Sequence, residues 1–419
     1  MKRCWLVVAV AGGIAGGIVG CNERAREVQV EADLQQTVQQ MMPAVERATG
    51  LRFKRHPVVL RRNRAQVREY VIHKFDDDLP PRELAGAQAA YRLFGLIPDS
   101  LDLRRSMIDL LTEQVAGYFD PDSNALYIPA DIDPSQARLV ISHELVHALQ
   151  DQYLNLDSLV ELKRQNDRRS AAQAILEGQA TLAQVVVLMP EQKIESLPNL
   201  WELRGAVLGA GQEQMKVFAS APLWLRESLI FPYLGGAEFV RWFEHQYPGK
   251  QPYGPLMPVS TEQILHPARY QAGDRPDGLA FTTSDAVRYE DGLGEFEIRL
   301  LFEQFLRDDT TAVASAAGWD GDRYQVRAVP PPGRGAAKKT TGDALIWYTL
   351  WDDAPAAARF ARALERAWAR RRSGGTAVRR FEVKRLLTSG VPTVRLVDAP
   401  PGWAGWKRVP AIRVTRAGR

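Results

Sequence analysis

His143-Glu144-Leu145-Val146-His147 sets two imidazoles four positions apart with a glutamate beside the first. On a helix, residues at i and i+4 project from one face, so both rings can reach one metal ion while Glu144 approaches a water held by it. The chemistry such a set serves is hydrolysis, in which the ion acidifies water and the carboxylate takes its proton. A pattern with three fixed positions also arises on an ordinary amphipathic helix with two core histidines, so its surroundings have to decide.

A catalytic zinc takes three protein ligands and keeps a fourth position open. Glu177 follows His147 by thirty positions, within Glu177-Gly178-Gln179-Ala180, on a stretch otherwise made mostly of Ala, Leu and Val. An acid in so apolar a helix is costly unless matched. An antiparallel return would bring it to the histidine pair as third ligand, with Gly178 and Ala180 letting the two helices approach closely. Glu161 is the rival ligand, but Lys163, Arg164, Asp167 and Arg168 around it describe a solvated segment. Asp151, one turn beyond His147, reads as a partner for a ligand or as a solvated acid at the helix end. His56, His73 and His245 lie in basic or polar surroundings with no ligand partner at helical spacing.

These residues need elements to hold them. The spacing predicts a helix from Pro134 to about Tyr153, with Asp133 as N-cap, Pro134 in the first turn and Gln136 closing a capping box. A second helix is expected from the N-cap Ser170 through Glu177 to about Met189, and a strand at Asn124 to Ile128 ahead of both. Upstream, β-like runs at Pro57 to Leu60 and Val67 to Ile72 precede helices at Arg82 to Phe94 and Leu101 to Ala116, broken at Gly117 to Pro121. Downstream, Trp201 to Phe243 reads as more helix and Tyr247 to Asp277 as a loop-dominated segment. A helix at Glu295 to Arg307 follows, then Gly318 to Arg323 ahead of a strand, and a flexible stretch from Pro331 to Gly342. An apolar strand at Leu345 to Leu350, a helix at Ala354 to Arg372 and β-like runs at Phe381 to Leu387 and Thr393 to Val397 complete the chain. The fold class is α+β, mainly helical. Trp347, Trp351, Trp368, Trp403 and Trp406 of the C-terminal lobe are expected to pack rather than to form a sugar platform.

At 419 residues the chain suits one large bilobed domain or two ordinary ones, and 45% hydrophobic with 25% charged residues match a soluble globular protein. Lys2 and Arg3 followed by an uncharged, Gly-rich run to Gly20 read as a signal peptide, too short for a spanning helix. Ile18-Val19-Gly20-Cys21 looks like a lipobox with Cys21 as the lipidated residue; the alternatives are an ordinary signal peptide or an uncleaved anchor. The expected division is 1–20 signal peptide, 21–50 lipidated tether or first helix, 51–290 catalytic domain and 291–419 C-terminal α+β lobe. Loss of the leader removes Cys4, leaving one cysteine and no internal disulfide. It also takes two of the 54 basic residues against 50 acidic ones, so the remainder is close to neutral and nucleic acid is not an expected partner. Oligomeric state is not legible.

His143 to Gln152, reading HELVHALQDQ, resembles the motif of a little-characterised group of bacterial zinc metallopeptidases within the gluzincins, the wider class that includes thermolysin. EGQA at Glu177 is similar to that class's third-ligand helix. QVAGYFDP (Gln114 to Pro121), STEQILHPARY (Ser260 to Tyr270) and GWDGDRY (Gly318 to Tyr324) resemble the same bacterial group, so the similarity runs roughly from Leu96 to Trp351. It departs at Thr181, which follows Ala180 where thermolysin's motif carries a further Asp nearby, so the partner that orients a ligand histidine is unassigned. The resemblance implies a zincin-like core in which His143, His147 and Glu177 hold Zn2+ and Glu144 is the catalytic base for peptide-bond hydrolysis. It also implies a His or Tyr donor over the oxyanion, for which His266 is the candidate and Tyr118, Tyr233 and Tyr253 stay open. The strand Asn124 to Ile128 would be the sheet edge that aligns an extended substrate.

The expected function is therefore a zinc metallopeptidase of the cell envelope, membrane-anchored on the periplasmic or extracellular face, with a protein or peptide substrate. Two other readings compete: a non-catalytic, zinc-stabilised envelope lipoprotein that binds or assembles partners, and a zinc amidase acting on cell wall. Glu144 argues against the first, since a structural site has no use for it.

Overall fold

The computed structural model describes residues 23–154, 163–209, 215–329, 342–373 and 378–417; Cys21 with the leader before it, Glu161 and most of the stretch from Pro331 to Gly342 lie outside the described residues. The N-terminal half runs α1 (Glu23–Thr49), β1 (Val58–Arg62), α2 (Arg64–Asp78), α3 (Pro81–Phe94), α4 (Leu103–Gln114), β2 (Tyr118–Asp120), β3 (Ala125–Pro129), α5 (Pro134–Gln150) and α6 (Asn166–Leu188). Val38, Met41, Met42 and Val45 form one helical stripe on α1, buried with Leu145, Val146 and Leu149 of α5 in a common core. Residues 23–49 thus take the helical form of the two expected, packed through Val38 to Val45.

Four expectations change in this half. Val67 to Ile72 is helical, not β-like: Asn63 and Gln66 close a capping box in both directions at 2.9 Å, and Val67, Val71 and Phe75 bury at i, i+4 and i+8 of α2. The strand at Asn124 to Ile128 is no edge. As β3 it pairs in parallel with β1 and antiparallel with β2, in the order β1-β3-β2, and all five of its residues are buried. The edges are β1 and β2, the latter inside the segment expected only to break a helix. Finally, α6 starts at Asn166, not after Ser170, because the Asp291 carboxylate accepts the Asn166 N–H at 3.0 Å and supplies the cap from another element. On α5 the capping box does not close, since the buried Oε1 of Gln136 has no hydrogen-bond partner.

The expected helix from Trp201 to Phe243 is broken into short pieces, Arg204–Gly209 and Lys216–Ser220, before α7 (Leu223–Gln246). Pro222 forces the residue before it out of helical conformation, and Ala221 is extended (φ −70°, ψ 151°). The segment from 247 to 277 is loop-dominated as expected, with short helices at Thr261–Leu265 and Pro267–Gln271.

The remainder comprises β4 (Gly278–Phe281), β5 (Val287–Asp291), α8 (Gly294–Leu306), α9 (Asp309–Ala316), β6 (Trp319–Arg327), β7 (Ala344–Trp351), α10 (Ala354–Ser373), β8 (Arg380–Thr388), β9 (Val391–Ala399) and β10 (Ile412–Thr415). Strands β5-β6-β7-β9-β8 form one antiparallel sheet, and the segment Trp319 to Arg323 belongs to β6 itself. Trp347, Trp351 and Trp368 are fully buried. Phe94 of α3 enters this core edge-on to Tyr324, Trp347 and Trp368, with ring centroids 5.0, 5.1 and 6.2 Å away, so the main core runs through both halves. The observed class is α+β.

Candidate metal centre

Helix α5 delivers His143, Glu144 and His147 as a consequence of its period: Leu145, Val146 and Leu149 turn into the core, where each such side chain contributes about 1.5–3 kcal/mol, and leave the other face to the histidines. Helix α6 delivers Glu177 from the facing side. Ala180 packs in the core shared with α5, as expected, whereas Gly178 faces α7. A Cβ on Gly236 of α7 would lie 1.9 Å from the Ala174 carbonyl oxygen, and one on Gly178 would lie 2.2 Å from the Gly236 backbone. Bare backbone at that crossing fixes the α6–α7 separation and hence the depth of Glu177.

The structure brings His143, His147 and Glu177 together. Their ligand atoms all lie within 4.8 Å of one another, and all three residues are buried. Glu177 Oε2 faces His143 Nε2 at 3.2 Å and His147 Nε2 at 3.6 Å. Burial alone would push the Glu177 carboxyl up, but the hydrogen bond to His143 and the nearby His147 imidazole bring it down to about 2, so it is a carboxylate at neutral pH. Burial lowers the His143 pKa. It also opposes protonation of His147, but Glu177 and Glu144 outweigh it and hold that imidazole above its ordinary value.

Glu144 is completely buried. One oxygen, Oε2, accepts the Phe119 N–H of β2 at 2.9 Å; the other, Oε1, has no hydrogen-bond partner, nor has His147 Nε2. In the metal-free protein burial pushes the Glu144 carboxyl up to about 8. Orphaned buried lone pairs beside an anion are costly. A cation among them would satisfy both, and two nitrogens with one carboxylate oxygen are a donor set that suits zinc. The residues present therefore fit a bound divalent ion.

Sequence reasoning missed the residue that orients His147. Gln150, one turn on, faces His147 Nδ1 with its Oε1 at 2.8 Å, while its amide nitrogen donates to the Leu176 carbonyl and to Gln179 Oε1, each at 3.0 Å. An acceptor on Nδ1 fixes the tautomer that aims the Nε2 lone pair at the cluster. Gln179 is held in turn by Tyr253, whose hydroxyl donates to the same oxygen, and by Gln251 at 2.8 Å. The signal was available in the spacing, because Gln150 stands three positions after His147. Asp151, read from the sequence as either such a partner or an acid at the helix end, pairs with Arg55 at 3.3 Å.

His266 is not placed over the metal cluster. Its Nε2 lies 2.9 Å from Glu295 Oε1 and 2.8 Å from an Arg299 nitrogen, both on α8, and it lines neither cavity that reaches the cluster. Of the open alternatives, Tyr253 is engaged with Gln179 and Tyr118 stacks on Tyr70 with ring centroids 3.9 Å apart. Tyr233 of α7 is the one at the site: its ring stacks on His143 at 5.9 Å and lines both cavities, one of about 230 Å³ reaching His143 and one of about 250 Å³ reaching Glu177.

A family model described as a domain of unknown function, DUF8575, matches residues 284–405, which spans β5 to β9 and leaves out the His143–Glu177 cluster. The chain has no match among curated proteins. Among solved structures it is similar to the crystal structure of a proposed hydrolase with a novel fold from Chloroflexus aurantiacus, at 15% identity and a TM-score of 0.39, over 61% of this chain and 92% of that one.

Proposed function

We propose that this protein is a zinc-dependent peptidase in which His143, His147 and Glu177 hold the ion and Glu144 acts as the base. The observation that carries this reading is the pairing of three converging, buried ligand atoms with a neighbouring carboxylate that keeps one oxygen unpartnered. A zinc ion there would supply Lewis acidity toward water and toward a scissile carbonyl. Glu144, steadied by the Phe119 N–H, takes the proton of the attacking water and passes it to the leaving amine nitrogen. The side chain of Tyr233 is the candidate donor to the oxyanion, in place of His266. Strand β2, the sheet edge beside Glu144, is the element along which an extended substrate would align.

Lipidation at Cys21 would hold the enzyme at the cell envelope. The test is Glu144→Gln in the full chain, assayed on casein-like and cell-wall substrates. The expected result is unchanged metal content with hydrolysis of the protein substrate down by at least about a hundredfold. A variant as active as wild type would contradict the assigned base, and hydrolysis confined to cell-wall fragments would point to an amidase.

A further inference from the structure

The cavity that reaches Glu177 runs on along α6. Arg169, Gln173 and Glu177 recur every four residues, so they share one face of the helix, and all three line this space. Eight residues of helix rise about 12 Å, which is the span of about three residues of extended peptide. Between the two ends the wall is apolar at Phe75, Leu79, Met107, Leu229 and Pro232 and polar at Asp78, Gln114 and Ser228. An adjoining space of about 210 Å³ shares Arg169 and Gln173 and ends against Trp224, Tyr289, Phe296 and Glu297, all of them buried. A chain entering from the metal cluster meets that buried wall.

Arg169, like its neighbour Arg168, donates to a neutral side-chain amide in place of a carboxylate. Its guanidinium donates to the neutral Asn166 Oδ1 at 3.0 Å, and among the described residues no carboxylate stands within ion-pair distance of it. The acids around it are hydrogen-bonded to other groups or uncharged, and Asp291 attracts it only from beyond ion-pair distance. Asp78 pairs with Lys74 at 3.0 Å, Asp291 accepts the N–H groups of Asn166 and Gly292, and burial pushes the Glu297 carboxyl up to about 8. A planar fork of donors with apolar walls on the approach is suited to a carboxylate.

We propose that this groove receives the C-terminal carboxylate of a peptide at Arg169, about three residues from the bond presented to the metal cluster, so that the protein removes short peptides from chain ends. The proposal rests on the hydrolytic reading above for its reaction: water adds across the C–N bond, the shortened chain keeps a new carboxylate, and the released peptide takes the proton on its amine.

The test measures binding, so that it does not depend on turnover. Full-chain protein carrying Glu144→Gln is titrated into three fluorescein-labelled apolar hexapeptides: a free acid, its C-terminal amide, and an amide ending in glutamate. The free acid is expected to bind at least about tenfold more tightly than the amide, with Arg169→Gln reducing it to the level of the amide and Arg169→Lys retaining part of the difference. Equal binding of acid and amide, or a difference that survives Arg169→Gln, would overturn the proposal. An amide ending in glutamate that binds as well as the free acid would replace the chain end by an acidic side chain and overturn it too. If Arg169→Gln fails to fold, the acid-to-amide ratio in the Arg169 protein and its change in Arg169→Lys still decide. Repeating the titration on metal-free protein separates the two readings. Absence of any bound metal defeats the peptidase assignment, whereas the carboxylate preference stands or falls by itself.

Discussion

Glu177 and Asp398 are both buried carboxylates, 4% and 0% exposed, and the two halves of the molecule treat them in opposite ways. Around Asp398 on β9 the chain provides everything. Arg379 donates to Oδ1 at 2.6 Å, and Arg371 and the Trp368 indole donate to Oδ2 at 3.1 and 2.8 Å. Two permanent cations meet one anion, and no titration or ligand is needed to keep the charge there. Around Glu177 the ion-pair partners are two imidazoles, with a second carboxyl, Glu144, next in the chain to one of them. Among the described residues no permanent cation pairs with Glu177. A cluster that keeps an anion buried, leaves His147 Nε2 and Glu144 Oε1 without hydrogen-bond partners and offers ligand atoms within 4.8 Å is arranged for a cation from outside.

The comparison can be broken at several points. The largest expected effect is at Asp398, where Asp398→Ala strands Arg371 and Arg379 and should cost about 3–5 kcal/mol in chemical denaturation, with metal content unchanged. A loss under about 1 kcal/mol would mean that the arginines relax into water and that the two sites differ less than their geometry says. Next comes Gln150→Ala, which removes the acceptor from His147 Nδ1. We expect metal affinity to fall about 10- to 100-fold by competition with a chelating dye; unchanged affinity would remove Gln150 from the account.

The smallest effect is in pH dependence, and it isolates what the histidines alone give Glu177. In metal-free protein the Glu177 carboxyl sits at about 2, below its ordinary 4.5. A depressed carboxylate pKa adds stability above pH 4.5 and loses it as pH falls toward 2. Wild type should therefore lose more stability between pH 5 and pH 3 than Glu177→Gln does, by about 1 kcal/mol. Parallel losses would show that the imidazoles do little for the carboxylate, and the contrast with Asp398 would then widen.

What could be read from the sequence was local. The HExxH spacing, the apolar setting of Glu177 and the helices at α3, α5 and α8 depend on residues within one or two turns of one another, and the structure places these elements where the period puts them, give or take a few terminal residues. Long-range pairings were not legible. Strand β3 became an interior strand because Val58 to Arg62, far upstream, pairs with it. His266 was drawn off by Glu295 and Arg299, and Ser170 lost its role as N-cap because Asp291 caps α6 from a strand in the other half. Val67 to Ile72 was misread although its evidence was local: the i, i+4, i+8 burial and the Asn63–Gln66 pair mark a helix, and the β-branched run obscured them. Gln150 shows the same lesson at the site, since attention to acids hid an amide at the right spacing.

The central claim is that the Glu177 cluster takes its positive charge from a metal ion. The direct measurement is metal content of the purified full chain, wild type beside Glu177→Ala, after reconstitution with zinc and removal of the excess. The account predicts about one zinc per wild-type chain and its loss or strong weakening in the variant. Wild-type protein that stays metal-free after reconstitution, or a variant that holds zinc as tightly as wild type, would contradict it.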